Sequence, residues 1–305
     1  MSSRIRFPLF AVTALAVAAF SLKTHATEKP ASAPTDATIR VMSFNARYGT
    51  AKDGENDWDK RLAVFFETIR NFGPDLIGFQ EVLAFQRAEI EKQMTGYSFY
   101  GVGPEDGVQK GQMSLIGFRQ DRFSLLKTGT FWLSETPDVP ASKSWDSAQM
   151  RICSWVRLHD KAANRDLLYA NTHFDHRGVV ARREASRVVL EKLTPLAAGG
   201  PAFLTGDFNS REDSPAYQNL IKPAAPGMMR WIDAYRTVHP ERKSDESSMH
   251  AFTGRVQGSR IDFVFSTPDY VATAANIDRS SKDGHYPSDH YPVSAVLVPR
   301  SDSQR

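Results

Sequence analysis

The chain has 305 residues, with 38 Lys and Arg against 35 Asp and Glu, for a formal net charge of +3. Arg4, Arg6 and Lys23 supply that excess inside a first 26 residues that hold no acid, so the remaining 279 balance at 35 against 35 and offer no global charge for gripping a polyanion. Cys153 is the one cysteine, which excludes an intrachain disulfide, and its neighbours Ile152, Trp155 and Val156 mark it as a buried thiol rather than a reactive one.

Residues 1–26 read as a signal peptide. Arg4 and Arg6 precede a mostly apolar Phe7–Phe20 run, and Thr24-His25-Ala26 offers a small-x-small cleavage site. The expectation is an exported, periplasmic or secreted protein with no membrane span once the leader is cleaved; an uncleaved anchor is the alternative. Residues 27–37 have the composition of a disordered linker, and one domain is expected over residues 38–300.

Within it, Ile39–Asn45 alternates like a strand. Asp59 is placed to cap a helix over Leu62–Asn71, which Gly73-Pro74 stops. Asp75–Glu81 reads as a buried strand, Ala84–Met94 as a helix, and Tyr97–Val102, Met113–Phe118 and Arg122–Leu133 as successive strands. Ser134–Met150 is a long polar loop of the kind that often serves function. Arg151–His159 and Asp166–Thr172 form a hairpin about Lys161–Asn164. A helix is expected over Val179–Leu193, a strand over Ala202–Gly206 and a helix near Pro215–Ile221, with residues 210–258 otherwise irregular. Strands at Arg260–Phe265 and Pro292–Val298 complete the chain.

Six of these strands end in, or carry, a side chain that can bind a metal or move a proton: Asn45, Glu81, His173, the Asp207/Asn209 pair, Asp262 and Asp289-His290. Residues two apart on a strand face one way, which would aim Asp207 and Asn209 together. Each group has a plainer reading alone. Glu81 caps the next helix, His173 is a satisfied core histidine, and Asp207 and Asn209 make an Asx-turn. Left unsatisfied, each buried group would cost about 1–3 kcal/mol, so convergence is the economical explanation of the set.

Taken together, Ser43-Phe44-Asn45, Gln80-Glu81, Asn171-Thr172-His173, Gly206-Asp207-Phe208-Asn209, Arg260-Ile261-Asp262 and Ser288-Asp289-His290 resemble the motifs of the endonuclease/exonuclease/phosphatase superfamily, in that family's order and over residues 38–298. Asn45–Gly49 with Trp58 and Arg61, and Phe131–Pro137 with Asn171–Arg183, resemble a secreted bacterial branch. The resemblance implies an α/β fold, a four-layer α/β/β/α sandwich of two mixed sheets with the site at one end. It implies a divalent cation, Mg²⁺ with Mn²⁺ as the alternative, held by Glu81 with Asn45 and Asp289, hard oxygen donors of the kind Mg²⁺ prefers. Asp207 would deprotonate the attacking water, though some accounts of the family give that role to His290. Asn209 would stabilise the transition state, and Asp262 would orient His290. His173 would contact the phosphate or assist the leaving oxygen. Arg47 and Arg177 are expected as phosphate contacts, with Asp175 and His176 behind them. The activity implied is phosphodiester hydrolysis, on nucleic acid or a nucleotide first, then a phospholipid or sphingomyelin head group, then a phosphomonoester. A catalytically inactive binding protein on the same scaffold is the alternative outside enzymes.

Overall fold

Inward-facing side chains along the central strands run from apolar to polar, and this gradient positions the site. A computed structural model of the chain describes residues 1–2 and 37–300. The signal peptide and linker expected from the sequence lie outside the described residues, apart from Met1, Ser2 and Ala37. In chain order the elements are β1 (Ile39–Asn45), α1 (Trp58–Phe72), β2 (Leu76–Val82), α2 (Ala84–Gln93), β3 (Tyr97–Tyr100), β4 (Met113–Arg119), β5 (Phe123–Trp132), β6 (Ile152–Asp160) and β7 (Arg165–His173). Then come α3 (Val179–Ala197), β8 (Ala202–Asp207), α4 (Pro215–Ile221), β9 (Ile232–Asp233), α5 (Ala234–Val238), β10 (Asp262–Ser266), β11 (Tyr270–Ile277) and β12 (Val293–Pro299).

The strands form two six-stranded sheets, ordered β11-β12-β1-β2-β4-β3 and β5-β6-β7-β8-β10-β9. Both are mixed: β1–β2 and β7–β8 pair in parallel, and the remaining neighbours run antiparallel. Strand alternation gives each sheet one apolar face for helices and one for the other sheet. Met42 and Phe44 of β1 pack with Phe65, Phe66 and Ile69 of α1. Leu168 and Ala170 of β7 pack with Ala185, Val189 and Leu193 of α3. Between the sheets lie Ile39, Val41, Leu76, Val156, Tyr169, Phe203 and Leu297. The result is the α/β/β/α sandwich expected from the motifs.

On the inner face β1 presents Ile39, Val41, Ser43 and then Asn45. In the other sheet β7 presents Leu167, Tyr169, Asn171 and His173, and β8 presents Phe203, Thr205 and Asp207. The parallel pairs point their C-terminal ends the same way, and antiparallel β10 starts at that end with Asp262. One end of the inter-sheet space is therefore polar and hydrogen-bonded. Asn171 Nδ2 donates across the gap to the Phe79 and Leu115 carbonyls at 2.7 and 3.1 Å. Its Oδ1 accepts from Gln80 Nε2 at 2.7 Å and Thr205 Oγ1 at 3.0 Å. This layer requires the backbones to come close. A Cβ on Gly78 would lie 2.1 Å from Thr205 Oγ1 and 2.5 Å from Asn171 Oδ1.

Several local expectations need correction. The first helix starts at Trp58 with Asp57 at its N-cap, and Asp59 sits inside the first turn. Asp57 does not cap by side chain; its Oδ1 turns back to accept from the Asp53 N–H at 2.8 Å. Gly73 does close the helix in a left-handed conformation, φ 62°. The third helix runs past Leu193 to Ala197 and takes Pro195 into its last turns. β9 and α5 lie inside the stretch expected to be irregular. Strand β11 has no counterpart among the expected elements: its alanine-rich middle is mostly exposed, and only Tyr270, Ala272 and Ile277 carry an inward signal.

Gly78→Ala is expected to destabilise the fold by about 1–3 kcal/mol through overpacking of the Asn171 layer. A urea unfolding series would show a lowered midpoint with an unchanged slope; an unchanged midpoint would mean that the sheets do not depend on this approach.

Candidate active site

The polar sheet end opens into a cavity of ≈ 310 Å³ lined by Glu81, His173, Asp207, Asn209, Asp289, His290 and Arg47, with Tyr48, Gln112, Gln149, Arg151, His176 and Met249. Asn45 lies at its floor, 1% exposed. Its amide Nδ2 donates to Glu81 Oε1 at 3.1 Å and to Asp207 Oδ2 at 3.0 Å, so one side chain joins the carboxylates of the two sheets. Its Oδ1 accepts from the Arg47 N–H at 2.9 Å.

Glu81 reaches the cavity through a β-bulge. Gln80 and Glu81 together oppose one residue of β4, between the Phe79–Leu115 and Val82–Met113 pairs. Phe79 and Val82 thus both face the helices. Glu81 sits at φ 64°, unusual for a side-chain-bearing residue, and its Oε2 accepts from the Tyr48 N–H at 3.0 Å. Two further site residues have positive φ, Arg47 at 54° and Asn209 at 46°.

The Asp207/Asn209 pair converges by a different route from strand alternation. β8 ends at Asp207, whose Oδ1 accepts from the Asn209 N–H at 2.9 Å. The plainer Asx-turn reading is therefore realised, and it is this turn that carries Asn209 to the cavity wall. Asn209 Nδ2 lies 3.1 Å from His173 Nε2 and donates to the Phe174 carbonyl at 3.1 Å.

Two histidines face Asp207 in opposite charge states. His290 Nδ1 donates to Asp262 Oδ2 at 2.9 Å, and its Nε2 lies 3.9 Å from Asp207 Oδ2. Burial opposes charge on His290, but Asp262, then Asp207, and also Asp289, outweigh it and hold the imidazolium well above the ordinary histidine range. His173 is driven the other way by burial, then by Arg151 and His290. Arg151 Nη1 lies 2.9 Å from His173 Nδ1, and the ring's Nε2 lies 3.1 Å from Asn209 Nδ2 and 3.4 Å from Asp207 Oδ2. Asp207 itself, buried and then repelled by Asp262, is pushed up to about 7. A carboxylate in that range suits a group that must accept a proton near neutrality.

The remaining expected residues occupy distinct places. Asp289 Oδ2 is 3.5 Å from Arg47 Nη1, while Arg47 also forms a two-pronged pair with Asp53, both bonds 2.9 Å. His176 stands at the mouth with Nδ1 3.4 Å from Arg151 Nη2. Arg177 does not line the cavity; its backbone N–H donates to Asp175. Asp175 is a fastening point: it accepts from Ser147 Oγ and from the N–H groups of Ala148, Gln149, Arg177 and Gly178, pinning the end of the Ser134–Met150 loop beside His173. Arg151 is a site residue that the sequence motifs do not mark. The only cue is its place just before β6, at the end of the hairpin that carries His173, 2.9 Å from that imidazole. Gln112, Gln149, Tyr48 and Met249 have no comparable sequence cue.

Asp207, Asp262 and His290 bring potential metal-ligating atoms within 4.8 Å of one another. His290 Nδ1 is engaged by Asp262, however, so the donors facing the cavity are the carboxylates of Glu81, Asp207 and Asp289. An all-oxygen set of this kind fits a hard divalent cation.

If Asp207 accepts a proton beside a charged His290, Asp207 must be ionised while His290 stays protonated. The rate is thus expected to rise as pH climbs through about 7 and to fall once pH exceeds the raised His290 value. Asp262→Asn removes the strongest upward influence on His290 and a contributor to that on Asp207, so both limbs of the kcat/KM–pH profile should move to lower pH. A profile with unmoved limbs would rule out this pairing.

The profile described as Endonuclease/Exonuclease/phosphatase family matches residues 42–290. Among solved structures, a Bacteroides thetaiotaomicron mannosyl-6-phosphatase is 33% identical with a TM-score of 0.77, covering 85% of this chain and 99% of that one. An endonuclease/exonuclease/phosphatase family protein from the same organism is 32% identical with a TM-score of 0.80, covering 87% and 98%. Nocturnin of Drosophila melanogaster is 22% identical and aligned over 93% of this chain; the chain spans between 33% and 50% of the length of the curated relatives it matches. A family pattern running from β1 to His290, on two sheets that bring its acids, amides and imidazoles into one cavity, establishes that the chain belongs to the endonuclease/exonuclease/phosphatase family.

Proposed function

We propose that the protein is an exported, divalent-metal-dependent phosphoesterase that cleaves a phosphodiester by in-line attack of water. The observation that carries the diester reading is a cavity flanked on both sides. Tyr48, Gln112 and Gln149 are shared with a neighbouring chamber of ≈ 430 Å³ that includes Leu83, Pro104, Lys143 and Met150. Asn209 is shared with a groove on the opposite flank. A diester extends from its phosphorus in two directions, and both have room. Nucleic acid or a nucleotide is the first substrate class. A phosphomonoester is the second reading, favoured by the 33% identity to a mannosyl-6-phosphatase.

Asp207 takes the proton of the attacking water, held in place by the Asn45 amide and the Asn209 N–H. His290, charged and backed by Asp262, sits beside a non-bridging oxygen as negative charge grows there. Asn209 and Arg151-supported His173 form the opposite wall, where the His173 imidazole can contact the phosphate or assist the leaving oxygen. Glu81, Asp289 and Asn45 are the residues that would hold a Mg²⁺ or Mn²⁺ ion, whose charge, when bound, offsets that of the phosphate oxygens.

Glu81→Gln and Asp207→Asn are each expected to lower kcat/KM on a nitrophenyl phosphodiester in Mg²⁺ by about 10²–10⁴-fold, and chelation should abolish wild-type turnover. Circular dichroism should show both variants folded. Turnover at the wild-type rate in either would defeat the assignment.

A further inference from the structure

The groove on the Asn209 side of the cavity has a lining that the reaction chemistry leaves unexplained. It measures ≈ 260 Å³ and runs between the first turns of α3 and the segment following β8. Three arginines line it, Arg182, Arg183 and Arg211, against one acid, Asp213. Arg182 gives one guanidinium N–H to the Asp175 carbonyl at 2.9 Å, which fixes its position and leaves other donors over. Arg183 shares Glu184, with its Nε 2.7 Å from Oε1. Among the described residues, no hydrogen bond or ion pair engages the Arg211 guanidinium.

Ser210 also lines the groove. It is only 4% exposed, and its Oγ is buried with no hydrogen-bond partner. A buried hydroxyl left bare costs about 1–3 kcal/mol, so one set between Asn209 and the arginines points to a missing acceptor. The local helix ends do not account for these donors. The α3 terminus is already closed by Asp146, which accepts from the Val180 and Ala181 N–H groups, and Ser214 caps α4.

We propose that this groove is a second phosphate subsite, holding a phosphate group of the substrate adjacent to the one being cleaved. Arginine forks and a hydroxyl donor match the oxygens of a phosphate, and the net positive lining contrasts with the acid-rich catalytic cavity. The inference rests on the phosphoesterase reading and sharpens it. A substrate with two phosphates a short span apart is held at two points, whereas a substrate with one phosphate gains nothing from the groove. Two sources share this chemistry, a nucleic-acid strand and a small bisphosphate such as a phosphorylated sugar.

The test compares the full chain with the Arg183→Ala/Arg211→Ala double variant and with Ser210→Ala. Among the described residues, no hydrogen bond or ion pair joins the three side chains to the site residues, although Ser210 follows Asn209 in the chain. Substrates are bis(nitrophenyl) phosphate, a 5′-phosphorylated thymidine dinucleotide and a hexose bisphosphate. The arginine variant is expected to raise KM about tenfold for the two-phosphate substrate that the site takes, with kcat held and the bis(nitrophenyl) phosphate parameters unchanged. Ser210→Ala should shift KM in the same direction by less. The dinucleotide responding identifies a strand as the source, and the hexose bisphosphate responding identifies the small molecule. An equal change on all substrates, or on none, overturns the subsite. If none of the esters is turned over, the hydrolytic reading fails separately. Calorimetric titration with inorganic pyrophosphate then decides the subsite: weaker binding by the arginine variant upholds it, and unchanged binding overturns it.

Discussion

Two sheets must bring acids to a shared point, so at that end they cannot be held apart by large apolar side chains. The Asn45 amide is the clearest expression of this constraint. It spans the gap and donates to Glu81 from one sheet and Asp207 from the other. Beneath it, Gly78, Gln80, Asn171 and Thr205 replace the Leu, Val and Phe of the deeper layers. The polar layer adds little net stability for each bond it makes, but every group left bare inside it would be costly. The bonds that Asn171 makes to Phe79, Leu115, Gln80 and Thr205 therefore fix the spacing of the two sheets, with Gln80 Oε1 the one atom of the layer left without a partner.

Around this seam, fixed charges hold the loops that complete the cavity. Arg61, 1% exposed, donates to the carbonyls of Asn56, Ala46, Arg47 and Pro287. It thereby ties α1 to the segment that follows Asn45 and to the one that precedes Asp289. Burial draws its guanidinium down to about 10, still charged at neutral pH. On the other sheet Arg260, fully buried, meets Glu212 at 2.5 Å and Asp233 at 2.7 Å. It links the start of β10, where Asp262 stands, to the turn that follows Asn209. A buried ion pair such as that of Arg260 is weak evidence for stability, but both arginines specify geometry beside residues of the cavity.

Much of this is legible in the sequence because strand ends announce themselves when an apolar alternation stops at a polar residue. β1, β4, the β6–β7 hairpin, β8 and α4 follow that signal closely, and Asn45, His173, Asp207 and Asp262 sit where their strands place them, whereas Glu81 comes in through a bulge and Asn209 and Asp289-His290 from outside the strands. The features that leave no such signal depend on contacts between distant segments. Arg151 reaches His173 from just outside the paired hairpin. Asn209 acts through a turn that reads the same whether or not a site is near. Asp175 resembles a ligand but spends its oxygens on five local donors. β11 pairs by backbone while exposing small side chains, which leaves no periodic trace. Arg177 stands beside the motif in sequence and outside the cavity in space.

The extra residue in β2 has an evolutionary corollary. Phe79 and Val82 face the helices three positions apart, with Gln80 and Glu81 fitted between them. Losing either residue there would return the strand to even pairing with one side chain where two now stand, and would remove the bulge that turns Glu81 to Asn45 and Tyr48. On this scaffold, the placement of one cavity carboxylate hangs on a single extra residue in a strand.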